Sequence, residues 1–472
     1  MRRTYLLLLI FLTAGLVFSC SRATNPDIER GSSLHFEDGY PEIRMSALGV
    51  LDEEAQGVIQ VTADIVYGSL IFREDNEVSR ADVDLEIRVH GIEGTTYSET
   101  YTTSLQVDSD QESYIASQDI LKYERDIRVP PGNYEVVVSV QDQSSGNRTT
   151  RTARTFVPDP AAEVVTLTSV QLLGKRIDEE DRGYLPVTTY DVTAETDSIR
   201  FVVQVTNTIE ERALEITSRL VRFDSDTSPA RPMSHSNYSP SSMPYKGIDF
   251  RSREVLEVSH RTLEQPGSVM IEYRFPLPER GNYRFEITTE GAAEEELFRA
   301  RDFGIKSKNY PAIQTAREMA APLYYLMSRG EYEEMMAIED PDSLKAAVDR
   351  FWLSNIGSVN TARNVISLYY ERVEQANKQF SNFKEGWKTD LGMIYILFGP
   401  PWYVDRRLNR MQWSYSYDRT DPRYNFFFEK PQVRNEYFPF DNYLLQRDPG
   451  YFNREYQQRQ LWLTGNILRT RT

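Results

Sequence analysis

Cysteine is almost absent from this chain: one residue, Cys20, in 472. No disulfide can form within the chain, so an exported form would depend on apolar cores alone. Histidine is scarce as well. His35, His90, His235 and His260 lie far apart, and none has a partner at the four-residue spacing of a helical metal site. No Gly-x-Ser-x-Gly elbow is present to expose a serine nucleophile. Beyond the N-terminus no apolar run approaches the roughly 20 residues of a membrane-spanning helix. Positive charge is in deficit, with 54 Lys+Arg against 71 Asp+Glu and a net charge of −17, which argues against a nucleic-acid partner. These absences give no reason to expect a metal or other cofactor.

The deficit is uneven. From Lys306 onward there are 23 Lys+Arg against 20 Asp+Glu, a net of +3, which leaves −20 on residues 1–305. A strongly acidic front thus precedes an Arg-rich C-terminal part. The N-terminus has its own pattern. Arg2 and Arg3 precede an uncharged apolar run from Tyr5 to Phe18, then Ser19 and Cys20, the order of a secretory signal peptide. Val17-Phe18-Ser19-Cys20 resembles a bacterial lipobox, in which a small residue precedes a cysteine that receives a diacylglycerol. That resemblance implies a signal peptide over residues 1–19, lipidation of Cys20 and a membrane anchor. By the same resemblance Ser21, which is not aspartate, implies the outer membrane. Acyl chains contribute about 0.8 kcal/mol per buried methylene, so several together anchor durably. The polar stretch 20–33 then reads as a tether.

Strand patterns follow. Val83-Asp84-Leu85-Glu86-Ile87-Arg88-Val89-His90 alternates strictly, as do Tyr134, Val136, Val138 and Val140 with their neighbours, which predicts half-buried antiparallel strands. Residues 34–160 are expected to form one immunoglobulin-like β-sandwich, closed by Val157-Pro158-Asp159-Pro160. The pattern restarts at Ile199, Phe201, Val203 and Val205, and again at Val269, Ile271, Tyr273 and Phe275, predicting a second sandwich over 161–305. A shared phrase, Gly132-Asn133-Tyr134 and Gly281-Asn282-Tyr283, suggests two sandwiches of one plan. The Ser- and Pro-rich stretch from Ser225 to Gly247 is expected to be disordered, although Met233, Tyr238, Met243 and Tyr245 are suited to partner contacts.

Residues 306–472 change to helical spacing. Asp340-Pro341 is a helix start, and Val365, Tyr369, Val373, Ala376 and Phe380 mark a longer helix from about Asn360. Met393 to Phe398 is apolar on both faces and closed by Gly399-Pro400-Pro401, which predicts a central buried strand. Trp413 with Tyr415, and Tyr424 to Phe428, predict two more. The expected class is therefore multidomain: two β-sandwiches followed by an α+β domain whose helices precede a small antiparallel sheet.

Gly386-Trp387-Lys388-Thr389-Asp390, followed by Gly392, Ile394-Tyr395-Ile396 and Gly399-Pro400-Pro401, resembles the signature of the GWxTD domain family. These are bacterial exported proteins, often lipoproteins, named for the pentapeptide and without an established biochemical activity. The run Tyr369 to Val373 with Ala376, Asn377 and Phe380 resembles the helix that leads into the motif. Leu391 and Met393 stand where the pattern commonly has a basic residue, and Trp402 where it has an acidic one. Asp405, Arg406 and Arg407 follow shortly after.

The motif itself is expected to be structural. Gly386 and Gly392 are read as providing unusual backbone angles. Thr389 and Asp390 are read as acceptors for nearby backbone N–H groups, and Trp387 as a ring buried under the sheet. No catalytic residue is assigned. Arg406, Arg407 and Arg410 with Trp402, Tyr403 and Trp413 are the candidate binding residues, because Arg and aromatic side chains together suit protein interfaces and anionic or sugar ligands. Two function classes stay open. The residues favour a non-catalytic binding or scaffold protein of the cell envelope, with an envelope protein or glycan as partner. The alternative is a hydrolase of envelope glycan using two carboxylates among Asp390, Asp405, Asp418 and Asp421, or a carbohydrate-binding module.

Overall fold

A computed structural model describes residues 23–24, 40–75, 78–109, 120–177, 183–193, 195–210, 212–290, 296–416, 424–433, 437–438 and 440–469. Cys20, the signal segment, and Asp418 and Asp421 lie outside these residues. Of the expected tether, only Ala23–Thr24 is described, as a short strand parallel to Arg299 and Ala300. No helix among the described residues is long and apolar enough to cross a membrane.

The alternating segments become strands whose apolar faces meet. In the first sandwich Ile43–Leu51, Gly57–Val66 and Ile120–Arg128 form one sheet. The facing sheet is built on Val78–Ile92, Gly132–Asp142 and Arg148–Val157, with Ser98–Ser109 on its flank. Val83, Leu85, Ile87 and Val89 are all buried, against Val136, Val138 and Val140, as the two-residue period requires. The second sandwich repeats the arrangement. Leu214–Ser225, Gly281–Glu290 and Glu296–Ile305 lie in a six-stranded sheet, and Thr196–Asn207 with Gly267–Pro276 in a five-stranded one. Between them Phe201 stacks on Phe285, with ring centroids 4.4 Å apart.

The shared Gly-Asn-Tyr phrase has one structural task in both halves. Tyr134 and Tyr283 are buried at strand starts, and each hydroxyl donates to the carbonyl four residues upstream, Pro130 at 2.5 Å and Glu279 at 2.6 Å. This is the tyrosine-corner geometry of immunoglobulin-like sandwiches. The two sandwiches are joined by a buried reciprocal pair: Leu51 N–H donates to Gln204 Oε1, and Gln204 Nε2 donates to the Leu51 carbonyl, both at 2.7 Å.

The C-terminal part packs helices around Trp352, Tyr369 and Trp462. Asp340 caps the helix Pro341–Ile356 by accepting from Ser343 N–H at 2.8 Å, and a 22-residue helix, Val359–Phe380, follows. The expected strand at Met393–Phe398 is instead part of a helix, Asp390–Phe398, in which all nine residues are buried. A segment surrounded on every side shows no amphipathic period, so apolar residues alone do not separate strand from helix. The end punctuation does: Thr389 caps the helix, accepting from Gly392 N–H at 3.0 Å, and Gly399 stops it at φ +82°, a backbone region that favours glycine. The small antiparallel sheet then runs Tyr403–Arg406, Arg410–Ser414, Asn425–Glu429 and Leu444–Leu445. A last helix, Phe452–Leu463, closes the core through Trp462.

The segment from Ser225 to Gly247 corrects the expectation of disorder. Met233 is fully buried and Ala230 nearly so, both within the core of the C-terminal domain. An apolar anchor among polar residues docks a loop when a core elsewhere packs around it, and here that core is built from residues 320 onward.

Candidate functional site

The pentapeptide lies between the end of Val359–Phe380 and the motif helix Asp390–Phe398, and each of its residues is committed inward. Gly386 and Gly392 do not adopt left-handed angles, contrary to expectation. They are needed for closeness. A Cβ on Gly386 would lie 1.9 Å from the Ala376 carbonyl oxygen, and one on Gly392 would lie 1.9 Å from the Gly386 carbonyl oxygen. Ser381 Oγ accepts from Gly386 N–H at 2.7 Å, and Asn377 Oδ1 accepts from Trp387 N–H at 3.2 Å. The Trp387 ring is buried edge-on to Tyr325, whose hydroxyl donates to the Trp387 carbonyl at 2.7 Å. Thr389 Oγ1 donates back to the Gly386 carbonyl at 2.7 Å while capping the helix.

Asp390 reaches further than expected. It accepts one backbone bond, from Leu445 N–H at 2.7 Å, but its main partner is Arg447. Nη2 donates to Oδ1 at 2.6 Å and Nη1 to Oδ2 at 2.9 Å, with both side chains buried. A buried ion pair persists only when its remaining polar atoms are also satisfied. Arg447 meets that demand with the docked loop, donating to the Arg231 carbonyl at 3.0 Å and the Pro232 carbonyl at 3.3 Å. Asn237 closes the contact from the other side, accepting from Arg447 N–H at 2.7 Å. Sequence reasoning missed Arg447 because no motif spacing links it to Asp390.

The remaining motif positions shape the end of the helix. Tyr395 is buried against Phe380, and its carbonyl accepts from Gly399 N–H at 2.7 Å. A Cβ on Gly399 would lie 2.7 Å from a guanidinium nitrogen of Arg372. Pro400 is exposed and Pro401 partly so, and they turn the chain into Tyr403–Arg406. Leu391 and Met393 are both buried.

The candidate binding residues divide. Trp402 and Tyr403 are 44% and 41% exposed, and Leu408 at the turn is 86% exposed. Arg406, Arg407 and Arg410 are exposed on the same hairpin, with Arg406, opposite Met411, on the other face of the sheet from Tyr403. Arg407 pairs with Asp405 at 3.3 Å, and Arg410 pairs with Glu429. Trp413 does not belong to this surface. It is fully buried between Phe380 and Phe428, because alternation along Arg410–Ser414 turns Met411 and Trp413 inward. Of the two described carboxylates in the hydrolase alternative, Asp390 is buried against Arg447 and Asp405 lies on an exposed edge strand, so they are not brought together as a pair.

The family profile of the GWxTD domain matches residues 288–464. This part of the chain is a GWxTD domain. The match takes in the last strand of the second sandwich, Glu296–Ile305, and the helices and sheet that follow. No curated protein matches the chain. Solved structures that are similar to it include red sea bream transglutaminase, at 10% identity and TM-score 0.19, over 58% of this chain and 32% of that one. Escherichia coli alpha-2-macroglobulin is similar at 16% identity and TM-score 0.16, over 58% of this chain and 16% of that one. The fibronectin(III)-like modules of Clostridium thermocellum CbhA are similar at 9% identity and TM-score 0.15, over 54% of this chain and 87% of that one. This chain thus spans about a third or less of the length of the first two.

Where the GWxTD domain meets the second sandwich, charged residues face a cleft of about 670 Å³ lined by Arg222, Arg253, Arg280, Lys306, Lys384 and Glu385, among others. Glu385, the residue before the motif, is its buried acid. Arg280 of the sandwich donates to it at 2.5 Å, and Lys388 of the motif lies 2.9 Å from it. Burial alone would raise the Glu385 pKa, but Lys388, Arg280 and Lys306 bring it down to about 2. Burial in turn pushes the Lys388 ammonium below its usual value. Beside them Lys384 pairs with Asp226 of the docked loop at 3.0 Å. Among the described residues no cluster of His, Cys, Asp and Glu could hold a metal ion.

Proposed function

We propose that this chain is a lipid-anchored lipoprotein of the cell envelope, held at the outer membrane through Cys20, whose tandem sandwiches present a non-catalytic GWxTD domain to an envelope protein or glycan. One observation supports the binding role. The pentapeptide is turned inward and bonded within itself and to Arg447, whereas Trp402, Tyr403, Leu408 and three arginines are exposed along one hairpin. Aromatic side chains bury large area and Arg bonds in several directions, and both are enriched where proteins bind, so an exposed hairpin of this composition suits recognition.

A photo-reactive residue in place of Tyr403 in the full chain, expressed in the source cells, tests this reading. It should give a discrete crosslinked product that disappears when Arg406, Arg407 and Arg410 are all replaced by Ala. The triple variant should stay folded, since exposed substitutions usually change stability by about 0.5 kcal/mol or less each. In the same cells Cys20→Ala should abolish acylation and membrane retention. A product that survives the triple substitution counts against the hairpin. A mature N-terminus away from Cys20 with no lipid attached counts against the anchor.

A further inference from the structure

We infer that the strand Ile248–Leu263 is a homotypic docking edge, at which two copies of this chain pair antiparallel about Ser259. The strand runs 16 residues and bonds along its length to one neighbour, Leu214–Ser225. From the other side, among the described residues, one backbone bond reaches it, between Ile248 N–H and the Tyr437 carbonyl at 3.0 Å. Along the rest of that side, among the described residues, no strand pairs with its backbone donors and acceptors, which is the arrangement of an open edge. The opposite edge of the same sheet is flanked, since Glu296–Ile305 carries Ala23–Thr24 and Asp191–Val192 beside it.

Edges that remain single carry lysine, other charged side chains, proline or bulges, and this strand has charges at Asp249, Arg251, Arg253, Glu254, Glu257 and Arg261. It has neither lysine nor proline, and it exposes Val255, Leu256 and Val258 at 43–46%. The strand does carry bulges, and their positions confine the pairing. Register with the neighbouring strand shifts between Val255 and Glu257, and again between Asp249 and Arg253. From Glu257 to Leu263 it runs without interruption.

Charge then selects both the occupant and the register. In an antiparallel pair centred on Ser259, Glu257 faces Arg261 of the other copy twice and Val258 faces His260 twice. Glu257, Ser259 and Arg261 share one face of the strand. Centring on Glu257 would oppose two like charges, and centring on Val258 or His260 would pair no charges at all. Opposite charges across strands favour a register, and like charges directly opposed disfavour it. A segment that complements itself in this way commits the edge to a second copy. Arg261 already donates to the Glu272 carbonyl at 3.0 Å and lies over the Tyr273 ring, which turns it toward Gly267–Pro276 of the facing sheet on the core side of the strand.

Sedimentation velocity over a range of concentrations, on the mature chain carrying Cys20→Ser, should show a monomer–dimer equilibrium. Glu257→Arg should weaken it by about tenfold or more, and Arg261→Glu should do the same. The double swap should restore it, because each copy then offers the reversed pair. Ser259→Cys in the same background should form a disulfide-linked dimer under mild oxidation much faster than the exposed control Ser241→Cys. Circular dichroism checks each variant; if Arg261→Glu does not fold, Glu257→Arg and Ser259→Cys still decide. A chain that stays monomeric, a dimer indifferent to Glu257→Arg, no preferential Ser259→Cys crosslink, or an edge that takes a strand of another protein instead of its own would each overturn the inference.

Discussion

A carboxylate in the first turn of a helix ordinarily gains from the unsatisfied N–H groups and the positive end of the helix dipole. Asp390 holds that position, yet its oxygens are taken up by Leu445 N–H and the Arg447 guanidinium. Its removal therefore costs more than a lost cap. Asp390→Ala should destabilise the chain by roughly 3–5 kcal/mol, because it leaves the Arg447 charge buried and unpaired. Asp390→Asn keeps an acceptor but not the charge, so it should be nearly as costly. Replacing both partners by leucine should cost less than either single change, since an apolar pair avoids the desolvation of both ions. Denaturant midpoints of the four proteins check this order. Midpoints that barely move, with crosslinking at Tyr403 lost, would mean that the pentapeptide acts as a functional site. The presence of an acidic motif residue was legible in the sequence. Its partner was not, because 57 residues separate the two and only folding brings them together.

At the scale of the element, the helix Asp390–Phe398 is short, wholly buried and bounded by glycine at close contacts. Glycine inside a helix is normally a weakness, and replacement by alanine stabilises by about 1 kcal/mol. Here the sign should reverse. At Gly392 and Gly386 the added methyl would meet backbone oxygen, which cannot rotate aside as a side chain can. Gly392→Ala and Gly386→Ala should each lose roughly 1–3 kcal/mol, the usual cost of overpacking, or more where the backbone must move. Thermal melting decides between the signs directly. The same crowding explains why the segment reads as a strand in sequence. Apolar residues on every side erase the 3.6-residue period, and the remaining clues, Thr389 before it and Gly399 after it, suit a turn equally well.

At the scale of the molecule, the GWxTD domain and the second sandwich share a buried electrostatic junction. Glu385 is held by Arg280 of the sandwich, by Lys306 just after the last sandwich strand and by Lys388 of the motif. Its folded pKa of about 2 lies below the ordinary 4.5. The stabilisation is therefore present above about pH 4.5 and is lost as pH falls toward 2, amounting to roughly 3 kcal/mol. Urea midpoints measured from pH 7 down to pH 3 should fall more steeply for the wild-type chain than for Glu385→Gln, which cannot titrate there. Asp226 in the docked loop is also held low, so the difference between the two proteins, rather than either curve, isolates Glu385. Parallel curves would show that the junction does not depend on this charge.

The sequence by itself determined the strands that are buried on one face. Val83 to His90 and Tyr134 to Val140 alternate because one face meets a core and the other meets water, and that asymmetry is written residue by residue. It also determined the capped helix at Asp340-Pro341 and the pentapeptide that marks the GWxTD domain, since both are local patterns. Tertiary structure decided everything whose cause lies on another segment. Met233 orders a Ser- and Pro-rich loop because the core of the C-terminal domain packs around it. Trp413 is core because Phe380 and Phe428 enclose it. Asp390 is a structural tie because Arg447 lies opposite. Local chemistry sets what a segment can do, but burial and pairing are properties of contacts between segments, and a linear pattern does not contain them.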